Sequence, residues 1–159
     1  MSFDWAGLST GRKVLLVGGI LLLIDLSLTW QQVCASITGF GTHCAGVSGW
    51  HGIGILVGLL TIVLVVWEAI GAFGVDLGDA VRNLPKALIS AGLAAAVVVF
   101  GIIEFVTHNE FRHWPAWIGL LLFIVIAAGG WLRFSEGESA ATTPTTSPAP
   151  PPPAPPPPV

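Results

Sequence analysis

The chain has 159 residues, of which 53% are hydrophobic and only 9% charged, with a formal net charge of -3. Water-soluble domains carry about a quarter charged residues, so this chain lacks the means to cover a water-facing surface, and lipid is its expected solvent. The small net charge and the lack of any basic run exclude nucleic acid as a partner, and two cysteines without Cys-x-x-Cys spacing exclude a disulfide scaffold and the common redox and zinc motifs.

A membrane span needs about 20 mostly apolar residues, and four stretches qualify. The first, Val14–Gln31, follows the basic pair Arg12-Lys13. It exceeds the roughly 7–15 residues of a secretory h-region and no small-x-small cleavage site follows it, so it reads as an uncleaved span. Gln31-Gln32-Val33 ahead of Cys34 does not resemble a lipoprotein cleavage signal. A connection over residues 32–50 leads to the second span, His51–Phe73. A second connection, 74–85, ends in Asn83-Leu84-Pro85 before the third span, Lys86–Thr107. The third connection, 108–113, precedes the fourth span, Trp114–Phe134, which has Pro115 in its first turn, where the missing donor costs nothing.

Basic residues near span ends set orientation. Arg12, Lys13, Arg82, Lys86 and Arg133 fall on one side and Arg112 alone on the other, which makes the first side cytoplasmic and places both termini there. The tryptophans fit as belt residues: Trp30, Trp50, Trp114 and Trp117 at the outer boundary, Trp5 and Trp131 at the inner one. The expected fold is an all-α membrane protein: an antiparallel four-helix transmembrane bundle over residues 1–134 with short connections, followed by a disordered proline-rich tail over 135–159.

In lipid, helices associate through close backbone approach and polar contacts. Gly54 and Gly58 form a GxxxG pair in the second span; Ala87, Ala91 and Ala95 share one face of the third, with Ser90 and Ala94 on another. Gly18-Gly19 and Gly129-Gly130 supply small residues in the first and fourth spans.

Three acids, Asp25, Glu68 and Glu104, lie within apolar spans, where a carboxylate usually faces the bundle interior or a wet cavity. Helical spacing puts Glu68 on the stripe Gly54, Gly58, Thr61, Val65, and Glu104 on Ser90, Ala94, Val97, Gly101, while Asp25 lies above Gly18. The spacing predicts Asp25 nearest the midplane, Glu104 toward the outer boundary and Glu68 toward the cytoplasm, with no lysine or arginine at membrane depth to pair with them. Neutral acids bonded across helices, and a protonatable Asp25 that relays protons, both remain open.

All four histidines, His43, His51, His108 and His113, fall on the outer side with Cys34, Cys44 and Glu110. A Cys34–Cys44 disulfide suits an oxidising compartment. The competing reading is a metal bound by His43, Cys44 and others among His51, His108 and His113, although nothing in their spacing selects it. No cofactor is implied. The tail carries ten prolines in residues 144–159 and suits extended polyproline II, either as a spacer or as a docking peptide for a cytoplasmic partner.

The early basic pair, Ser48-Gly49-Trp50-His51-Gly52, Trp67-Glu68 and the Pro/Ala/Thr tail together resemble small uncharacterised four-span membrane proteins of high-GC Gram-positive bacteria. That resemblance implies location and architecture and brings no activity with it. The leading expectation is a non-enzymatic accessory or envelope-associated subunit of the plasma membrane, with lipid, further copies of itself or another membrane protein as partners. The alternatives are a small oligomeric proton- or ion-coupled transporter or channel using Asp25, and an outer-face metal or redox protein.

Overall fold

The structure is a computed structural model and describes residues 5–37, 41–74, 85–107 and 113–142. Among these residues the elements run α1 (Thr10–Leu26), β1 (Thr29–Ile37), β2 (Gly41–Ser48), α2 (Gly54–Ala72), α3 (Lys86–Thr107) and α4 (Trp114–Thr142). Arg82, His108, Glu110, Arg112 and the chain from residue 143 onward lie outside the described residues.

Helix α1 begins four residues before the expected span, because the Ser9 hydroxyl caps it by accepting from the Arg12 amide at 3.4 Å. It also stops earlier. The amides of Ser27 and Leu28 close its last turn on the carbonyls of Ile24 and Asp25, and residues 29–31, expected to be helical, belong to β1. Thr29, Trp30 and Val33, β-branched or aromatic, favour a strand, and the Trp30 indole folds back onto α1 instead of facing the membrane boundary. At 17 residues, α1 is about 25 Å long. The other three helices are long and apolar enough to cross a membrane: Gly54–Ala72, Lys86–Thr107 and the stretch Trp114–Gly137 of α4. Helix α4 continues past the expected boundary at Phe134 to Thr142, since residues 135–142 contain no proline and Glu136 is tied to the start of α1.

Helix α1 packs on α2 and α4, and α3 packs on the same two. The start of α1, the end of α2, the start of α3 and the end of α4 meet at one end, where Gly71 lies against Arg12, Gly11 against Arg133, and Gly137 against Ala87. The opposite end joins the last turn of α1, the start of α2, the end of α3 and the start of α4, so consecutive helices run in opposite directions.

The body pairs an apolar exterior, unlike that of a water-soluble protein, with polar groups set into an apolar core. Asp25, Thr61, Glu68, Ser90 and Glu104 are all buried, together with Leu15, Leu22, Leu64, Val97, Phe123 and Ile126. Large apolar side chains cover the outside, with Leu121 62%, Val106 60%, Ile124 60% and Ile24 57% exposed. The stripes anticipated on α2 and α3 face inward: Gly54, Gly58, Thr61 and Glu68 on one, and Ser90, Ala94, Val97, Gly101 and Glu104 on the other.

Small residues do bring elements together, in two different ways. Gly18 faces Val125 and Ile126 of α4, and Gly130 faces Ala94 of α3, so these bring helices close. The GxxxG pair of α2 instead receives the preceding chain: Gly54 lies on the Gly49 carbonyl, and Gly58 lies under the Trp50 ring. Ala91 is half-buried, whereas Ala95 is exposed on the rim of an apolar groove between α3 and α4. We expect Gly54→Ala to lower the thermal midpoint more than Gly58→Ala, because a backbone carbonyl cannot swing aside as an indole can. Equal midpoints for the two variants would contradict this.

Candidate functional site

The most distinctive feature is the hairpin formed by β1 and β2. The strands pair antiparallel, with Cys34 opposite Cys44, Ser36 opposite Thr42, Val33 opposite Ala45 and Gln31 opposite Val47. A disulfide joins Cys34 and Cys44, whose Cα atoms are 4.0 Å apart. That close spacing marks a non-hydrogen-bonded pair. By alternation, Gln32, Cys34 and Ser36 on β1 and Thr42, Cys44 and Gly46 on β2 turn their N–H and C=O groups outward. The ladder is then carried by pairs such as Val33–Ala45 and Ala35–His43.

The two faces of the ribbon differ. One carries the disulfide, Gln32 and the Ser36 and Thr42 hydroxyls, which share a hydrogen bond of 3.1 Å. The other carries Val33, Ala35, Ala45 and Val47, with His43 at its far end. Val33 to Ser36 and Gly41 to Val47 are all exposed, so the ribbon stands clear of the helices. Closing a ring with a sequence separation of 10 residues is worth about 3 kcal/mol in the chain-entropy model. Because the ribbon stands clear, Cys34→Ser should loosen it while leaving the helical melting transition within about 1 kcal/mol of the parent. Far-UV dichroism on heating, with and without reductant, measures both effects.

The base of the ribbon is fixed through Trp30. The register shifts between Thr29 and Gln31, an irregularity of the kind that re-aims a side chain. Trp30 is buried, and its indole N–H donates to Asp25 Oδ2 and to the Asp25 carbonyl, both at 3.1 Å. Its ring meets Phe123 edge-on at 6.3 Å and lies on Gly119, where a Cβ would also press on Asp25 Oδ2. The Trp30 carbonyl accepts from the His113 amide at 2.8 Å, which ties β1 to the start of α4.

Asp25 therefore sits in the last turn of α1, at the hairpin end, because the helix stops at Leu26. Its Oδ1 is buried with no hydrogen-bond partner among the described residues. Glu104 is buried at the same end, beside Gly54. His113 Nδ1 is also buried without a hydrogen-bond partner among the described residues. His43 and His51 are exposed on separate segments. Among the described residues no three His, Cys, Asp or Glu side chains gather as metal ligands, and the disulfide removes Cys44 as a thiolate.

A second polar centre lies at the opposite end. The Arg12 guanidinium donates through Nε to Glu68 Oε2 at 2.9 Å and through Nη1 to the Gly71 carbonyl at 3.0 Å. Arg133 Nε is 3.6 Å from Glu68 Oε1, and its Nη1 is 3.4 Å from Glu136 Oε2. Glu136 Oε1 accepts from the Gly11 amide at 2.9 Å. Glu68 is thus doubly ion-paired, contrary to the expectation that no cation reaches it: the long side chains of Arg12 and Arg133 extend inward from the helix ends. This network joins α1, α2 and α4 and is electrically balanced. Sequence spacing could not reveal it, since its members are far apart in the chain.

Comparison with protein-family models, with curated proteins and with solved structures gives no match.

Proposed function

We propose that the chain is a four-span plasma-membrane protein with both termini cytoplasmic, acting as a non-enzymatic accessory or envelope-associated subunit through protein–protein contacts. The observation that carries this reading is the disulfide-braced hairpin: rigid, uncharged and standing clear of a body whose own surface is apolar. Its disulfide suits the oxidising side of a membrane. Arg12, Lys13, Lys86 and Arg133 belong to the opposite end, as cytoplasmic residues should. With a lipid-facing girdle and a balanced ionic lock inside, the hairpin is the part left to meet a partner from outside.

The test is light crosslinking in the native membrane, purification of the tagged full chain in mild detergent, and mass spectrometry of what accompanies it. A stoichiometric partner or a stable homo-oligomer is expected, and replacing residues 31–47 by a short Gly-Ser linker should remove the contact. A protein that purifies alone and monomeric sinks the proposal.

A second reading rests on one observation, the buried Asp25 Oδ1 without a hydrogen-bond partner among the described residues. An intramembrane carboxylate of that kind suits a proton- or ion-coupled pathway. Unchanged flux in reconstituted vesicles after Asp25→Asn would count against it.

A further inference from the structure

The edge of a β-ribbon presents unpaired N–H and C=O groups, and proteins normally guard it with charges, proline, bulges or a covering element. From Thr29 to Ser48 this chain has no Asp, Glu, Lys, Arg or Pro. Among the described residues the register shift lies at the base, between Thr29 and Gln31. The two edges are not equivalent. The base of β1 rests on α4, where the Trp30 carbonyl is already taken by the His113 amide. On β2, every residue from Gly41 to Val47 is exposed, and Thr42, Cys44 and Gly46 turn their backbone groups outward. The small side chains of Gly41, Ala45 and Gly46 leave that edge open to close approach.

An occupant has to offer an uncharged extended strand with free backbone groups. The longest stretch of the chain outside the described residues, from residue 143, is proline-rich and lacks the donors that a ladder needs. The β2 strand of a second copy fits: it is uncharged, of equal length, and carries the same outward alternation. An edge that meets its own equivalent makes an isologous contact, which closes at a dimer and covers both β2 edges. We propose that β2 pairs edge to edge with β2 of a second copy, so that two ribbons merge into one four-stranded sheet outside the membrane. This rests on the reading of the hairpin as a protein-contact element and names its partner.

The experiment uses the full chain in lipid nanodiscs, with mass by native mass spectrometry and exchange of the 41–48 amides. The parent is expected to be a dimer, with the Thr42, Cys44 and Gly46 amides protected. Thr42→Pro removes one outward donor and the Ser36–Thr42 hydroxyl bond, and leaves the internal backbone ladder in place. Ala45→Lys leaves every backbone bond in place but sets a charge on the shared sheet. Each should weaken dimerisation by about tenfold or more, with the Cys34–Cys44 bond intact by mass. A dimer whose 42, 44 and 46 amides exchange freely, or one that neither variant weakens, would overturn the pairing. So would a parent that is monomeric at every concentration. A monomer holding a foreign partner overturns self-pairing and keeps the subunit role, whereas a lone monomer overturns both.

Discussion

Replacing Glu68 by alanine is expected to destabilise the folded protein by about 3 kcal/mol. The carboxylate is buried at 1% exposure and faces two guanidinium groups, of which Arg12 is 19% and Arg133 11% exposed. Removing it leaves Arg12 without its carboxylate partner and Arg133 with Glu136 alone, two cations facing each other at a junction of three helices. The cost comes mainly from those stranded charges, and only secondarily from the lost bonds. Glu68→Gln, which keeps an acceptor for Arg12 but loses the charge, should cost less. Adding Arg12→Ala to Glu68→Ala should recover part of the loss, because the second change removes one stranded cation. Unfolding in detergent micelles, followed by helical dichroism, reads each value. A loss below about 1 kcal/mol for Glu68→Ala would place the cluster among well-solvated surface pairs.

Trp30→Ala should have a comparable effect, about 3 kcal/mol, and a different signature. The ring fills the space between α1 and α4, against Phe123 and over Gly119, and its N–H is the hydrogen-bond donor to the Asp25 side chain. Losing it opens a cavity, leaves Asp25 Oδ2 unsatisfied and frees the base of the hairpin. Limited proteolysis should then cut between Ser27 and Gln32, and the parent should resist there. Trp30→Phe retains most of the packing and gives up the hydrogen bond, so about 1 kcal/mol is expected. Gly119→Leu, which forces the ring out from the opposite side, should produce the same cleavage. Resistance to cleavage in both Trp30→Ala and Gly119→Leu would show that the ribbon is held by something other than this indole.

The parts of the fold that were legible in the sequence are those governed by helical periodicity. The inward stripes of α2 and α3 follow from small residues and acids spaced by three and four, and an apolar exterior around buried acids follows from the low charge content. The hairpin was not legible. The alternation of β1, Val33 and Ala35 against Gln32 and Ser36, is short and merges with the apolar run before it, and the glycines of β2 resemble a loop. The end of α1 was hidden for a related reason: Leu28 and Trp30 continue the apolar run, while what ends the helix is a fold-back of the Trp30 ring onto Asp25. The disulfide needed only compartment and pairing to suggest it. The ionic cluster depends on Arg12 and Arg133 meeting Glu68 across the body, which only the packing of α1, α2 and α4 reveals. The contrast between Gly54 and Gly58 makes the same point on a smaller scale: one spacing motif is filled by a carbonyl and an indole where a second helix would be expected.

The unequal helices carry one further consequence for the surrounding bilayer. Past Lys13, helix α1 is about 20 Å long, whereas α4 beside it runs about 28 Å from Trp114 to Leu132 before it reaches Arg133. A hydrocarbon layer of about 30 Å matches the second and is too thick for the first. In the four-span placement, lipid must therefore compress along the α1 flank of the protein. The hairpin begins where α1 runs out, so its first residues would lie at headgroup depth on the thinned side. Hydrophobic mismatch would then set the tilt of the whole body, and through it the height at which the ribbon is held above the membrane.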